Sequence, residues 1–187
     1  TLATYALNYA IGGLDPVGYH LMNLGLHLLV TWLVYLLALR IGTERETAIV
    51  VAAIFAVHPL HTEAVTQVVG RAEILMSLGV LGALWFALTG HRLLSLAAFA
   101  GGLFSKEQAV VLPVLLVLHD ICMNGAFPAG EGGKRWWARL KPELWKYGAY
   151  LLVLAVYLVI RAKILGGLPL PPLSPVENPL ASLEWDS

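Results

Sequence analysis

Residues 21–41 form an apolar run that is long enough to cross a lipid bilayer. Its only hydrophilic side chains are those of Asn23, His27, Thr31 and Arg40. A helix rises about 1.5 Å per residue, so a run of this length matches a hydrocarbon core about 30 Å thick. The run therefore predicts a transmembrane helix, and this constrains the rest of the chain to a membrane fold.

The composition agrees with a membrane protein. Hydrophobic residues make up 58% of the chain, charged residues make up 13%, and the mean hydropathy is +0.74. These values exclude an ordinary water-soluble globule. Five further apolar segments follow the first one, at residues 48–57, 74–89, 93–104, 109–122 and 147–160. The sequence thus predicts an all-α integral membrane protein, a polytopic helical bundle with about six membrane segments.

One membrane domain accounts for residues 1–187. We expect an external loop tail at 1–20, membrane helices at 21–165 and a Pro-rich external loop at 166–187. If all six segments cross, eight basic residues fall on one side and four on the other, so the first side is predicted to be cytoplasmic. A multi-pass protein of the bacterial inner membrane or the endoplasmic reticulum membrane, with both ends of this sequence external or luminal, is the expected arrangement.

Residues 93–122 are too long for one span and too short for two. As a single helix they would extend about 45 Å and would place Lys106 near the bilayer centre, which is costly. We therefore predict a hairpin of two short helices, with a new helix starting at Lys106 behind a Ser105–Gln108 capping box. An anion bound by Lys106 and the helix end is one explanation of the lysine, and an internal ion pair with an acidic residue is the other.

The segment after His58 predicts a short surface helix capped by Thr62. Glu63, Gln67 and Arg71 recur at four-residue intervals, which would place them on one face of that helix. Such a stripe presents carboxylate, amide and guanidinium groups to a substrate. A purely structural interfacial helix would have the same amphipathic pattern, so the pattern alone leaves both interpretations open.

Histidines raise the possibility of a metal site, although their spacing argues against it. His58, His61 and Glu63 are acceptable donors for zinc or manganese, but they do not match a His-Glu-X-X-His metalloprotease. His20, Asn23 and His27 share one helix face that should point into the bundle. We expect the histidines of that set to be packed in the core rather than to bind a metal or a haem. No cofactor is required in this interpretation, and no divalent metal is expected.

Several blocks together resemble the transmembrane O-mannosyltransferases that target cadherins and bacterial relatives that carry tetratricopeptide repeats. The blocks are Asn8-Tyr9-Ala10, Gly13-Leu14-Asp15-Pro16, Gly18-Tyr19-His20-Leu21 with Asn23 and His27, His58-Pro59-Leu60-His61-Thr62-Glu63-Ala64-Val65, Gly70-Arg71-Ala72-Glu73 and Lys106-Glu107-Gln108. The resemblance extends from about residue 5 to residue 179. The joint occurrence of the His-Pro-X-His-Thr-Glu-Ala-Val and Gly-Arg-Ala-Glu blocks makes it specific.

The resemblance implies a membrane glycosyltransferase of the GT-C type. Such an enzyme moves a sugar, here mannose or a related hexose, from a polyprenyl or dolichyl phosphate to a Ser or Thr hydroxyl of an exported protein, with inversion, at the external face. The implied partners are a lipid-linked sugar, an acceptor protein or another hydroxyl acceptor, and membrane lipids. No nucleic acid partner is implied.

The chemistry requires a base for the acceptor and cations for the departing phosphate. Glu63 and Glu73 are the supporting carboxylates, and the main acidic base is expected upstream of Thr1. Without it, this segment alone is not expected to be active. The predicted substrate-binding residues are Arg71, Lys106, Glu107, His58, His61 and His20. Two alternatives remain open: a transporter or ion pathway, and a non-catalytic membrane scaffold.

Overall fold

The computed structural model describes residues 1–123 and 144–164, and these contain helices and no strands. The helices are α1 (Leu2–Gly12), α2 (Pro16–Arg40), α3 (Arg45–Val57), α4 (Thr62–Thr66), α5 (Arg71–Leu88), α6 (Arg92–Ser105), α7 (Leu112–Met123) and α8 (Leu144–Ile164). Three 3₁₀ turns, at Pro59–His61, Val68–Gly70 and Glu107–Val111, join some of them. Each of the six predicted apolar segments is thus helical. The predicted loop at 166–187 lies outside the described residues.

The first 20 residues differ from the predicted loop tail. Residues Leu2–Gly12 form α1, and α2 begins at Pro16, five residues before the predicted start of the span. The Asp15 carboxylate accepts a hydrogen bond of 3.0 Å from the Val17 amide, which caps α2. Proline at the first helical position has no amide hydrogen to leave unsatisfied. These local signals extend the helix beyond its apolar run.

The chain bends sharply after α3. Residues Arg45–Val57 and Pro59–Thr66 meet at an angle of 47°. Proline at position 59 cannot continue the hydrogen-bond ladder of α3. His58 adopts an extended backbone, and its Nδ1 atom accepts a 3.2 Å hydrogen bond from the Leu60 amide. This end of α3 therefore turns into a short helical segment that runs in a new direction.

Helices α5 and α6 pack with their backbones in close contact. A Cβ atom added at Gly79 would lie 2.6 Å from Gly102 Cα, so only glycine fits there. Nearby, Ser95 Oγ donates a 2.6 Å hydrogen bond to the Ala83 carbonyl and lies 2.6 Å from Tyr150 Oη on α8. The buried core around this contact consists of Val80, Ala83, Phe99, Leu103, Ala109, Leu112, Leu116, Tyr147 and Tyr150.

Helices α6 and α7 form the predicted hairpin. Arg161, near the end of α8, bonds to Glu107 before α7, while Tyr147, near the start of α8, bonds to Asp120 near the end of α7. Helix α8 therefore runs antiparallel to α7. It runs parallel to α6, because the α6 residues Ser95 and Phe104 contact Tyr150 and Tyr157 in that order.

The details of the α6–α7 turn differ from the prediction. Ser105 Oγ donates to the Gly101 carbonyl and does not cap a following helix. Helix α7 starts only at Leu112, after a 3₁₀ turn. The predicted capping box is therefore wrong, whereas helical backbone does begin next to Lys106, as a 3₁₀ turn at Glu107 that becomes α-helical at Leu112. A serine at the end of a helix can bond back to the preceding turn, and this local bond replaces the cap.

The two ends of the bundle have different side chains. At one end, Arg40 Nη2 donates a 2.6 Å hydrogen bond to the Leu88 carbonyl, which places the ends of α2 and α5 together. Arg92, Asp120 and Lys146 line a hollow at this end. The opposite end holds the starts of α2 and α5 and the end of α6, and we call it the Arg71 end. The described Arg40, Arg45, Arg92 and Lys146 lie on segments at the first end, and Arg71, Lys106, Arg161 and Lys163 lie at the Arg71 end. Which end faces the cytoplasm stays a prediction.

Three of the described helical segments are long and apolar enough to cross a membrane: Pro16–Arg40, Val68–Leu88 and Lys146–Ile164. A fourth is present if the bent pair at Arg45–Val57 and Pro59–Thr66 is one span. Helix α6 has 14 residues and extends about 21 Å, less than a full hydrocarbon core. The total of six crossings stays a prediction.

Candidate functional site

The predicted site residues lie at one end of the bundle. Glu73, Lys106, Glu107, Arg71 and the histidines at 58 and 61 are all on segments that meet at the Arg71 end. They belong to the first turns of helices, the ends of helices or the turns between them. The fold therefore brings together residues that are up to 49 positions apart in the sequence.

Arg71 is the most deeply placed of these residues. Its side chain has no solvent exposure. The guanidinium donates through Nε to Asn23 Oδ1 at 2.8 Å, through Nη1 to the Thr4 carbonyl at 3.0 Å, and through Nη2 to the Tyr19 carbonyl at 3.2 Å. Tyr5 also covers it, with a ring centroid 4.6 Å from Cζ. Arg71 therefore joins α1, α2 and α5.

This placement corrects the predicted Glu63–Gln67–Arg71 stripe. Helix α4 ends at Thr66 and α5 starts at Arg71, so the three residues are not on one helix. Gln67 Nε2 still reaches Glu63 Oε1 at 3.5 Å, and both side chains are exposed. Thr62 lies inside α4 and is not its cap. Carbonyl groups hold Arg71 in the interior, so a role in binding phosphate stays a prediction that this geometry does not favour.

Lys106 is paired with an acidic residue. Its Nζ atom lies 2.6 Å from Glu73 Oε1, and the two side chains are 30% and 51% exposed. The pair connects the end of α6 to the first turn of α5. The internal ion pair left open by the sequence is therefore present. The ammonium group of a lysine has three hydrogen-bond donors. Among the described residues, Lys106 uses one of them, in the bond to Glu73, so the other donors are available to a ligand.

Glu107 pairs with a cation that the sequence analysis did not include. Arg161 Nη1 donates to Glu107 Oε2 at 2.8 Å and to Tyr157 Oη at 3.3 Å. The hydrogen bond from Arg161 is the largest cause of a lowered pKa at Glu107. The useful signal was the position of Arg161 near the end of the last apolar segment, on the side predicted for Lys106 and Glu107.

A hollow of about 350 Å³ lies between α6 and α8, next to these two ion pairs. Lys106, Glu107 and Arg161 form its polar part. Its remaining lining is mostly apolar and consists of Leu103, Phe104, Ser105, Tyr157, Ile160 and Ile164. The end of α6 at Ser105 thus borders a cavity in which charged side chains lie next to an apolar surface.

The histidines form a second group at the Arg71 end. The rings of His27 and His61 have centroids 5.5 Å apart, and those of His58 and His61 are 5.8 Å apart. His61 also stacks near Phe55, at 4.3 Å. The Nε2–H of His27 donates to the Ala56 carbonyl at 3.1 Å. His27 is therefore a satisfied core histidine, as expected.

His61 and Glu73 line a second hollow of about 230 Å³ between α2, α3 and α5. Because Glu73 also contacts Lys106, the Lys106–Glu73 pair lies between this hollow and the one at α6 and α8. His20 differs from its predicted partners Asn23 and His27, because it is exposed and lines a separate hollow beside Val65. Within the part of the chain that the structure describes, no three His, Cys, Asp or Glu side chains form a metal-binding group.

Asn23 is a site residue whose importance the sequence only partly indicated. It is fully buried, accepts the Arg71 bond, and donates through Nδ2 to the Gln67 carbonyl at 3.0 Å. It therefore fixes the segment between α4 and α5 against α2. The predicted inward face of α2 contained Asn23, but neither of its bonding partners follows from helical spacing.

The fold and the site together define a helical membrane protein with an ionic cluster at one end of its bundle. Comparison with known proteins then indicates its family. The chain is 39% identical to Protein O-mannosyl-transferase Tmtc1 of Drosophila melanogaster, over 63% of this chain and 15% of that protein. It is 33% identical to Tmtc2 of the same organism, over 95% of this chain and 19% of the relative. With TMTC3 of Mus musculus it shares 45% identity over 44% of this chain and 9% of the relative.

The chain is thus a relative of the TMTC protein O-mannosyl-transferases, which confirms that part of the resemblance drawn from its motifs. The resemblance to bacterial relatives that carry tetratricopeptide repeats stays a prediction. It matches about a quarter or less of the length of these curated relatives. No family model matches the chain. No solved structure matches it either.

Proposed function

We propose that the full-length protein is a glycosyltransferase that moves mannose, or a related hexose, from a polyprenyl-phosphate carrier to a Ser or Thr hydroxyl of an exported protein. The main support is the Lys106–Glu73 ion pair, which lies between two hollows at one end of the bundle. The relationship to proteins named O-mannosyl-transferases adds the reaction class. The proposed reaction takes place at the external or luminal membrane face.

In the proposed reaction the acceptor oxygen attacks the anomeric carbon of the sugar. The acceptor proton passes to a carboxylate, and the bond between the anomeric carbon and the phosphate oxygen breaks. A single displacement inverts the anomeric centre. The electron pair of the broken bond leaves with the polyprenyl phosphate, and Lys106 stabilises that charge as a point cation.

Glu73 and Glu63 have supporting roles in this proposal. Glu73 orients Lys106 through the 2.6 Å contact and faces the hollow that contains His61. Glu63 is exposed on α4 and is available to an acceptor hydroxyl. The main base is proposed to lie in sequence upstream of Thr1. No metal or organic cofactor is part of the mechanism.

Arg71 has a different role in the proposal from the one predicted. Its donors are engaged by Asn23, Thr4 and Tyr19, so it holds α1 and α2 in position relative to α5. Histidines 58, 61 and 20 and Glu107 are proposed to contact the sugar or the acceptor from the surrounding segments. His58 and His61 are neighbours, whereas His20 and Glu107 line other hollows, so these contacts require separate tests.

The direct test is transfer of labelled mannose from polyprenyl phosphate to an acceptor protein by the full-length protein in vesicles. We expect a mannosylated Ser or Thr, and a large loss of product in the Lys106→Ala variant. Lys163→Ala is the matched control, since this cation is exposed and does not line the hollow. Uptake of solute without any glycosylated product would instead favour the transporter alternative. Unchanged turnover in Lys106→Ala would remove its phosphate role.

A further inference from the structure

We infer that the hollow between α6 and α8 binds the phosphate end of a lipid phosphate, with Arg161 as a second phosphate ligand beside Lys106. This inference rests on the proposed function, because it identifies where the carrier of that reaction is held. Arg161 comes from the last described helix, 55 residues after Lys106, and the two cations line the same hollow of about 350 Å³.

Arg161 has hydrogen-bond donors available for a ligand. Both of its bonds, to Glu107 and to Tyr157, use Nη1. Among the described residues, Nε and Nη2 have no hydrogen-bond partner. These two groups form one edge of the planar guanidinium, the geometry that binds two phosphate oxygens at once. Lys106 likewise has ammonium hydrogens that its single bond to Glu73 does not use.

The carboxylates do not prevent an anion from entering. The Glu107 side chain is 63% exposed and that of Arg161 is 38% exposed. Water screens an ion pair between exposed side chains, so a phosphate can replace Glu107 at the guanidinium at little cost. The exposed pair therefore holds Arg161 in place without blocking it.

The apolar wall of the hollow favours a lipid phosphate over free phosphate. Phe104 and Ile164 are largely exposed there and offer a surface to a hydrocarbon chain. A larger apolar hollow of about 550 Å³ lies between α2, α5 and α6, but no Lys or Arg lines it. The hollow at α6 and α8 combines two cations with an apolar wall at the Arg71 end. The hollow that Arg92 and Lys146 line also contains Asp120 and lies at the opposite end of the bundle.

The test measures binding of a polyprenyl monophosphate to the full-length protein in detergent or nanodiscs. Arg161→Ala should weaken this binding about tenfold, the loss expected for a charge-assisted bidentate contact. Arg161→Lys should recover only part of the affinity, because lysine lacks the planar fork. Lys163→Ala, two residues further along the same helix, is the matched control and should bind as the unmodified protein does. Thermal stability of each variant shows that the fold is kept.

Competition experiments identify the source of the phosphate. Excess inorganic phosphate, or phosphatidylglycerol vesicles, should displace the polyprenyl phosphate poorly. The inference is overturned if Arg161→Ala binds the probe with unchanged affinity, if Lys163→Ala loses as much, or if inorganic phosphate competes as well as the lipid.

The result also separates this inference from the proposed function. Polyprenyl phosphate binding that depends on Arg161, without any mannose transfer by the same preparation, would support the hollow and contradict the enzyme proposal. Mannose transfer with an unchanged KM for the donor in Arg161→Ala would support the enzyme and contradict the hollow.

Discussion

Lys106 and Glu73 form a 2.6 Å ion pair that joins the end of α6 to the first turn of α5. The pair connects two residues that are 33 positions apart, and it borders a different hollow on each side. A lysine at this position has a structural partner and still has donors for a substrate. The structural and functional interpretations of Lys106 are therefore compatible.

The Lys106–Glu73 pair leads to a double-mutant test in the full-length protein. Lys106→Ala should lower mannose transfer by about 10²–10³-fold, because a developing phosphate charge loses a positioned cation. Glu73→Gln should cost less, and combining it with Lys106→Ala should add little, since residues that act together are not additive. Steady-state rates with labelled donor measure this. Fully additive losses would show that the two residues act independently.

Arg71 should be important for stability because it is buried and bonded to three backbone or side-chain oxygens on α1 and α2. We expect Arg71→Ala to lower the free energy of unfolding by about 3 kcal/mol, since the oxygens of Asn23, Thr4 and Tyr19 lose their partner. Arg40→Ala removes one exposed bond, to the Leu88 carbonyl, and should cost less than about 1 kcal/mol. Equal losses in thermal or denaturant unfolding would contradict this role for Arg71.

The close contact of α5 with α6 predicts a strong effect of a single methyl group. Gly79→Ala should destabilise the protein by about 1–3 kcal/mol, because the new Cβ would overlap the Gly102 backbone. Gly25→Ala in α2 is the control, because its Cβ would meet no atom within 4 Å. We expect it to be neutral or mildly stabilising, as alanine is preferred over glycine in helices. Unfolding midpoints in the same detergent compare the two.

The Glu107–Arg161 pair should make a pH-dependent contribution to stability. The hydrogen bond from Arg161 lowers the pKa of Glu107, so the folded state favours the ionised carboxylate. This contribution is complete above the ordinary glutamate pKa of about 4.3 and is lost as the pH falls through the lowered folded-state value.

Glu107→Gln provides the measurement. The difference in unfolding midpoint between the unmodified protein and this variant should be constant from about pH 6 to 7 and should shrink as the pH falls below about 4. A difference that grows on acidification would contradict the assignment.

The sequence predicted some elements well and others poorly, for local reasons. The six apolar segments are helices because length and hydrophobicity decide which parts of a chain can enter lipid. The reversal near Lys106 was also predicted, since a continuous helix would have buried that charge in the bilayer. Ser105 was wrongly assigned as a cap, because its hydroxyl bonds to the Gly101 carbonyl in the preceding turn. Thr62 was also wrongly assigned as a cap, because α4 begins at Thr62 itself and not after it.

Partner choice was the main part that sequence reasoning missed. Spacing placed Arg71 on a stripe with Glu63, but a break at residues 67–70 moved it to the start of another helix, where Asn23 and Tyr19 hold it. The contact of Arg161 with Glu107 depends on how α8 packs beside α6. Neither partner can be derived from the local pattern around it.

The amino-acid sequence by itself determined that the chain belongs in a lipid environment and that it is helical. It also determined the relationship to the O-mannosyl-transferases and the positions of the ionic clusters along the chain. The tertiary structure decided which charges meet: Lys106 with Glu73, Glu107 with Arg161, and Arg71 with neutral oxygens. The physical reason is the range of the forces involved. Insertion into lipid depends on the summed hydrophobicity of a segment, whereas an ion pair or hydrogen bond forms only when packing brings two particular atoms within about 3 Å.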